Sequence, residues 1–342
     1  MNCVTPATLV VAAYQQRGWL QPAQRVCLAC VLLTARIAHA DEARDEAWWT
    51  GPMLAPNAAT LPAGHAVIEP YLFNDVTVGQ FDSSGARHSA PQEQALGSLT
   101  YVLYGLTDLT TVGMLPRFGY NLPPGAPSSS GVGIGDLTLQ AGYGVLQYRD
   151  GHNTPAVSLV VQETLPTGRY DRLERASDGL GAGAYTTTLA VYSQDYFWMP
   201  NGRILRARLA VTYAISSSVS VDEQSVYGTP YGFSGHAYPG DVFTVDGAGE
   251  YSVTRNWVLA LDVIYQHSDS TRVTGTVPGG SSGSAASAYQ SESGSSYSLG
   301  FAPAIEYNFS STVGALLGVR IIEIGRNAAA SVTPAIALNM VF

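Results

Sequence analysis

Ser296-Tyr-Ser-Leu-Gly-Phe-Ala-Pro-Ala-Ile-Glu-Tyr-Asn-Phe309 alternates strictly between two kinds of side chain. Tyr297, Leu299, Phe301, Pro303, Ile305, Tyr307 and Phe309 fall on one side; Ser298, Gly300, Ala302, Ala304, Glu306 and Asn308 fall on the other. Successive residues of a strand point to opposite faces, so this is a strand separating two unlike media. Its greasy face is aromatic at both ends. Trp and Tyr rings favour the two bilayer interfaces, with aliphatic residues between them facing lipid tails. Asn256 to Gln266 repeats the pattern, setting Trp257, Leu259, Leu261, Val263 and Tyr265 against Val258, Ala260, Asp262, Ile264 and Gln266. Ten strand residues tilted near 45° rise roughly 23 Å, close to the apolar band of an outer-membrane barrel. Trp257, Tyr265, Tyr297, Tyr307 and Phe309 are therefore expected at the membrane interfaces.

Working outward, such segments fit residues 65–74, 94–106, 109–120, 134–147, 155–165, 183–194, 203–216, 241–253, 256–267, 295–309, 312–323 and 329–342. Long links follow the first, third, fifth, seventh and ninth; short turns follow the second, fourth, sixth, eighth and tenth. Bacterial barrels carry long loops outside and short turns in the periplasm. The expected fold is all-β: a transmembrane antiparallel up-and-down β-barrel of about 12 strands, with both ends in the periplasm. The last segment, Pro334-Ala-Ile-Ala-Leu-Asn-Met-Val-Phe342, resembles the signal read by the outer-membrane barrel assembly machinery. That machinery is an expected partner, with Phe342 as the assembly signal.

Composition agrees. Of 342 residues 46% are apolar and only 13% charged, about half the share usual in soluble domains, and mean hydropathy is +0.08. The longest apolar run, Val26 to Leu33, is far shorter than a spanning helix of about 18–20 residues. All 17 basic residues are Arg, which excludes Walker-type phosphate loops and Schiff-base catalysis, both of which need a lysine amine. From Asp41 onward 14 arginines face 26 acids, a net charge of −12 that argues against a nucleic-acid partner. Cys3, Cys27 and Cys30 all lie near the start. His65, His88, His152, His236 and His267 are scattered, with no triad spacing and no metal constellation, so no cofactor, metal or catalytic residue is expected.

Arg25 to Ala40 has a basic start, a short apolar core and a small-x-small ending. It predicts a secretory signal over residues 1–40, with an over-extended start, that would remove every thiol. Residues 41–64 open with a short helix-forming stretch and turn proline-rich; they form either a periplasmic lead-in or a plug. The barrel would occupy 65–342. Strand parity turns Glu69, Arg117, Asp136, Arg206, Arg208, Asp246, Glu250, Asp262, Glu306 and Arg320 inward. Such charges either set up a transverse field that selects solutes or pair with one another in a closed interior. Gly142, Gly144, Gly247, Gly249, Gly300, Gly314 and Gly318 would widen that interior or let strands bend. The loop Leu165 to Arg175 reads as a solvated surface loop, a guard of the outer mouth, or a contact for lipopolysaccharide phosphates through Arg169, Arg172 and Arg175. Residues 275–295 read as a flexible extracellular loop.

Several stretches resemble the outer-membrane family named for the meta-pathway of phenol degradation. They are Trp49-Thr-Gly-Pro-Met-Leu-Ala-Pro56, Leu61-Pro-Ala-Gly-His65, Ile68-Glu-Pro-Tyr71, Tyr104-Gly-Leu-Thr-Asp108, Gly135-Asp-Leu-Thr138 and Leu165-Pro-Thr-Gly168. The resemblance implies an outer-membrane barrel that passes small hydrophobic or aromatic compounds. The expected function is passive uptake of small solutes, with outer-membrane lipid and lipopolysaccharide around the protein. The competing classes are a structural or surface-interaction barrel and an outer-membrane hydrolase.

Overall fold

The computed structural model describes residues 47–148, 154–279 and 285–342. The expected signal over 1–40, the three cysteines and the first residues of the 41–64 segment lie outside these. Residues 47–50, the end of the expected short helix, are irregular.

Twelve long antiparallel strands follow one another: β1 Ala66–Phe81, β2 Glu93–Thr107, β3 Thr110–Leu115, β4 Leu137–Leu146, β5 Ala156–Leu165 and β6 Thr186–Trp198. They continue with β7 Ile204–Ser216, β8 Val242–Ser252, β9 Trp257–Ser268, β10 Ser296–Asn308, β11 Val313–Arg326 and β12 Ala329–Val341. Pro116 has no N–H to give to a ladder, and β3 resumes beyond it as Arg117–Leu122, still paired with β2. Each strand pairs with its neighbour in sequence, and β1 pairs with both β2 and β12, so the 12-strand sheet closes on itself. Val67 opposes Val341 and Leu72 opposes Ile336 across the seam. Closure leaves no edge, which a sheet in hydrocarbon cannot tolerate.

Side-chain size sorts by face. On β9, Leu259, Leu261 and Val263 are exposed while Val258, Ala260 and Asp262 are buried; on β10, Phe301 and Ile305 are exposed while Ala302, Ala304 and Glu306 are buried. At one end of this pair Trp257, Tyr307 and Phe309 cluster, with ring centroids 4.6 Å and 4.9 Å apart. At the other Tyr265 and Tyr297 stack at 6.4 Å.

Three sequence expectations need correction. The first strand does not stop at residue 74 but runs to Phe81, although Asn74 and Asp75 are turn formers. Inside a barrel a polar residue can continue a strand if it finds partners: Asp75 accepts from Thr333 Oγ1 at 2.9 Å and Arg320 Nη2 at 3.3 Å. Gly247 and Gly249 do not widen the interior. They pair with Leu209, Val263 and Leu261, which face outward.

The third concerns the loops over 217–240 and 268–294, which build a separate four-stranded sheet from Val219–Asp222, Ser234–Tyr238, Arg272–Val277 and Ser287–Glu292. The segment read as flexible over 275–295 therefore contains half of a hairpin; residues 280–284 lie outside the description. Gly275 opposes Tyr289, and both Gly235 and Gly275 leave room for the Phe233 ring, which packs edge-on to Tyr289 at 5.3 Å. Aromatic cover of strand glycines supplies the apolar burial that a Gly- and Ser-rich composition hides.

Candidate functional site

A segment inside a barrel but outside its ladder must satisfy its own backbone N–H groups. Residues 48–64 meet this demand as a strap across the lumen. Glu306 Oε2 accepts from Thr50 N at 2.8 Å and Gly51 N at 3.1 Å. Pro52 has no N–H. Asp262 then accepts from Met53 N at 3.1 Å, Leu54 N at 3.4 Å and Ala55 N at 2.9 Å, and Arg208 Nη1 donates to Ala55 O at 2.9 Å. Two carboxylates thus act as caps for an irregular backbone.

The strap starts and finishes near short turns. Trp48 N donates to Arg255 O at 2.9 Å, between β8 and β9. At the other end Thr60 Oγ1 donates to Asp108 O at 2.7 Å and Ala63 N to Asp108 Oδ1 at 3.0 Å, between β2 and β3. Between these points Met53 packs on Ala260, Ala302, Ala304 and Ala335, and Ala58 on Ala156, Val160, Ala190 and Tyr192. The inward face is small because the strap fills it. A Cβ on Gly314 would lie 2.0 Å from Thr50 Oγ1, and one on Gly105 would lie 2.1 Å from Pro62 O.

The ten inward charges meet different fates. Arg206 Nε donates to Glu250 Oε2 at 2.6 Å while its Nη2 takes Oε1, and Arg208 Nε lies 3.0 Å from Oε2. Arg206 also lies over the Trp49 ring at 4.4 Å, so the trio touches the strap on two sides. Arg320 is held by Asp75 and Thr333. Glu69 accepts from Tyr71 OH at 3.2 Å. Asp246 is buried, and its Oδ1 has no hydrogen-bond partner among the described residues. Arg117 is exposed to the interior and makes no hydrogen bond or ion pair with its side chain among the described residues.

Asp136 sits at the outer rim and serves a loop. Its Oδ1 accepts from Gly168 N at 2.9 Å and its Oδ2 from Ala182 N at 2.7 Å, tying down both ends of residues 166–182. Gly168 and Gly181 approach so closely that a Cβ on either would lie 2.6–2.8 Å from the other. Asp178 accepts from Ser130 N at 2.7 Å, and this bond holds its carboxyl below the usual range. Leu173 is buried, Arg172 pairs with Asp222 at 2.7 Å and Arg175 donates to Ser128 O at 3.1 Å. The charged loop is thus a lid with a solvated outer surface, and it drops Leu180 into the lumen.

Replacing Asp136 with alanine removes two charge-assisted bonds, each worth about 1.5–3 kcal/mol of local stability. Amide hydrogen exchange across residues 166–182 is expected to accelerate about tenfold or more while the strands stay protected. Unchanged exchange in the lid would refute the anchoring role.

Between lid and strap lie two adjoining cavities. The inner, about 340 Å³, is bounded by Met53, Tyr71, Phe73, Leu99, Tyr101 and Leu180, with Arg117 and Arg320 at its wall. The outer, about 360 Å³, is more polar, with Asp136, Thr138, Thr164 and Tyr227 around it. Arg117 and Leu180 line both. Parity alone finds Arg117 but not Leu180, which comes from a loop.

A closed twelve-stranded barrel with an aliphatic exterior and a partly filled polar interior is an outer-membrane β-barrel protein, embedded in the lipid of the bacterial outer membrane. The chain belongs to the family described as "Putative MetA-pathway of phenol degradation", which matches residues 75–315. It is similar to an outer membrane channel from Pseudomonas putida F1 at 18% identity and a TM-score of 0.63, over 84% of this chain and 100% of that one. That likeness concerns the fold. The beta domain of the Bordetella autotransporter BrkA is more distant, at 10% identity and a TM-score of 0.41, covering 82% of this chain and 100% of its own. No curated protein matches the chain.

Proposed function

We propose that the protein is a passive channel for small hydrophobic or aromatic solutes, narrowed on the periplasmic side by the strap and on the outside by the lid. The observation that carries this reading is the pair of adjoining cavities between lid and strap, together spanning a polar outer and an aromatic inner chamber. Ligand sites are commonly concave, mostly apolar and marked by a few placed polar groups. In this reading the mature chain starts after a removed signal over 1–40, residues 41–64 contain the strap, and 65–342 form the barrel. The inward charges Glu69, Arg117, Asp246 and Arg320 border the route, while Arg206, Arg208, Glu250, Asp262 and Glu306 secure the strap.

Trp257, Tyr307 and Phe309 mark the periplasmic interface and Tyr265 and Tyr297 the outer one. Phe342 is the assembly signal, and the exposed lid arginines meet lipopolysaccharide phosphates. No chemistry is assigned to the barrel. His267 and Asp269 approach at 3.4 Å, but on a solvent-exposed rim. The test is uptake of phenol and of a disaccharide by liposomes carrying the refolded protein. Phenol is expected to enter faster than into protein-free liposomes, with the disaccharide excluded. Equal phenol uptake with and without protein would sink the channel reading.

A further inference from the structure

The charges around the two cavities are unequal. Asp136 is committed to the lid through Gly168 and Ala182, and Arg320 to Asp75 and Thr333. Arg117 alone among the charged residues lines both cavities, and its guanidinium makes no hydrogen bond or ion pair among the described residues. Its backbone is fixed: Gly135 N donates to Arg117 O at 2.9 Å, and the ladder resumes at this residue after Pro116. The guanidinium therefore projects from a rigid wall rather than from a mobile loop. Beside it the inner cavity presents Tyr71, Phe73, Leu99 and Tyr101, and Tyr71 and Tyr101 meet edge to face at 6.1 Å.

A planar fork of donors beside an aromatic wall suits a carboxylate carried on a ring. The fork takes both oxygens in parallel hydrogen bonds, and the ring gains edge and face contacts. The volume, about 340 Å³, is at the small end of ligand pockets and suits one ring rather than several. A neutral ring would desolvate the guanidinium without returning a charged partner, so the same residue discriminates against it.

We propose that the inner cavity is a binding site for a single-ring aromatic carboxylate, with Arg117 as the anchor for its carboxylate and Tyr71, Phe73 and Tyr101 around its ring. The proposal rests on the channel reading and names the solute class that pauses in it. Leu180, between the chambers, closes over the bound ring. An anion arriving from outside meets Arg117 first in the polar chamber and keeps that contact as its ring enters the aromatic one.

The test is equilibrium binding of benzoate, phenol and acetate to the refolded full chain in detergent, by calorimetry, beside the R117Q variant. Arg117 has no partner to orphan, and the folded state of R117Q is checked by its heat-dependent gel migration and circular dichroism. Benzoate is expected to bind at least tenfold more tightly than either phenol or acetate. R117Q should lose about tenfold to a hundredfold in benzoate affinity with no loss for phenol. Equal benzoate affinity in the two proteins, or equal affinity of the wild type for benzoate and phenol, overturns the proposal. Binding in detergent requires no passage, so benzoate can fail here while liposome uptake of phenol succeeds, and the reverse result separates the two readings equally well.

Discussion

Replacing Glu250 with alanine is expected to destabilise the barrel by about 3–5 kcal/mol, the cost of stripping the partner from buried ionic groups. Glu250 is fully buried and holds two guanidiniums, accepting from Arg206 at two nitrogens and pairing with Arg208 at 3.0 Å. Neither arginine has a second carboxylate bonded to it among the described residues; Arg206 has the Trp49 face and Arg208 the Ala55 carbonyl. Removing the acid leaves two like charges side by side in a wall shut off from water. Denaturant unfolding in micelles would read the loss directly. A midpoint that does not move would contradict the reading of this trio as a closed ionic unit. Glu250→Gln, which keeps an acceptor, should fall between wild type and alanine.

Deleting residues 47–60 is expected to raise single-channel conductance severalfold and to shift ion preference toward cations. The barrel does not depend on the strap for closure, because the β1–β12 seam is made by strand pairing alone. What the deletion exposes is specific. Glu306 and Asp262 lose the five N–H groups they cap and turn two carboxylates toward lumen water, while Arg208 remains tied to Glu250. Rings of acidic side chains favour cations. Planar-bilayer recordings of both proteins, with reversal potentials in a salt gradient, would test the two halves of the prediction. Equal conductance would mean that the strap obstructs nothing.

The barrel was legible because two solvents impose a period of two on every strand that crosses. That pattern is local and survives without knowledge of the partners, so all twelve strands emerge from it. Its failures are where polarity has a distant explanation. Asp75 reads as a turn residue until Arg320 and Thr333 are brought beside it. Inward parity identified Asp262 and Glu306 but not their purpose, since the N–H groups they cap belong to residues some 207–256 positions earlier in the chain. The prolines at 52 and 56 carried a hint, because a stretch poor in donors is easy to lodge off the ladder. The charge density of the 165–175 loop did point to a guard of the outer mouth, but how that guard reaches inside was hidden for the opposite reason. Its arginines and acids do face solvent, and the two residues that matter inside, Leu173 and Leu180, are single apolar positions in a polar run.

The geometry of the strap also fixes how it would respond to force. Both of its ends lie by short turns, at Arg255 and at Asp108, so it is an arch let into the barrel from one mouth rather than a thread passed through it. A pull on residue 47 from the periplasm would load its attachments one after another, first Arg255 and Asn308 at Trp48, then Glu306, then Asp262 and Arg208. Fastenings stressed in series peel at far lower tension than the same fastenings sheared together. The wall, whose ladders share any such load along their whole length, would stay intact while the arch is drawn out.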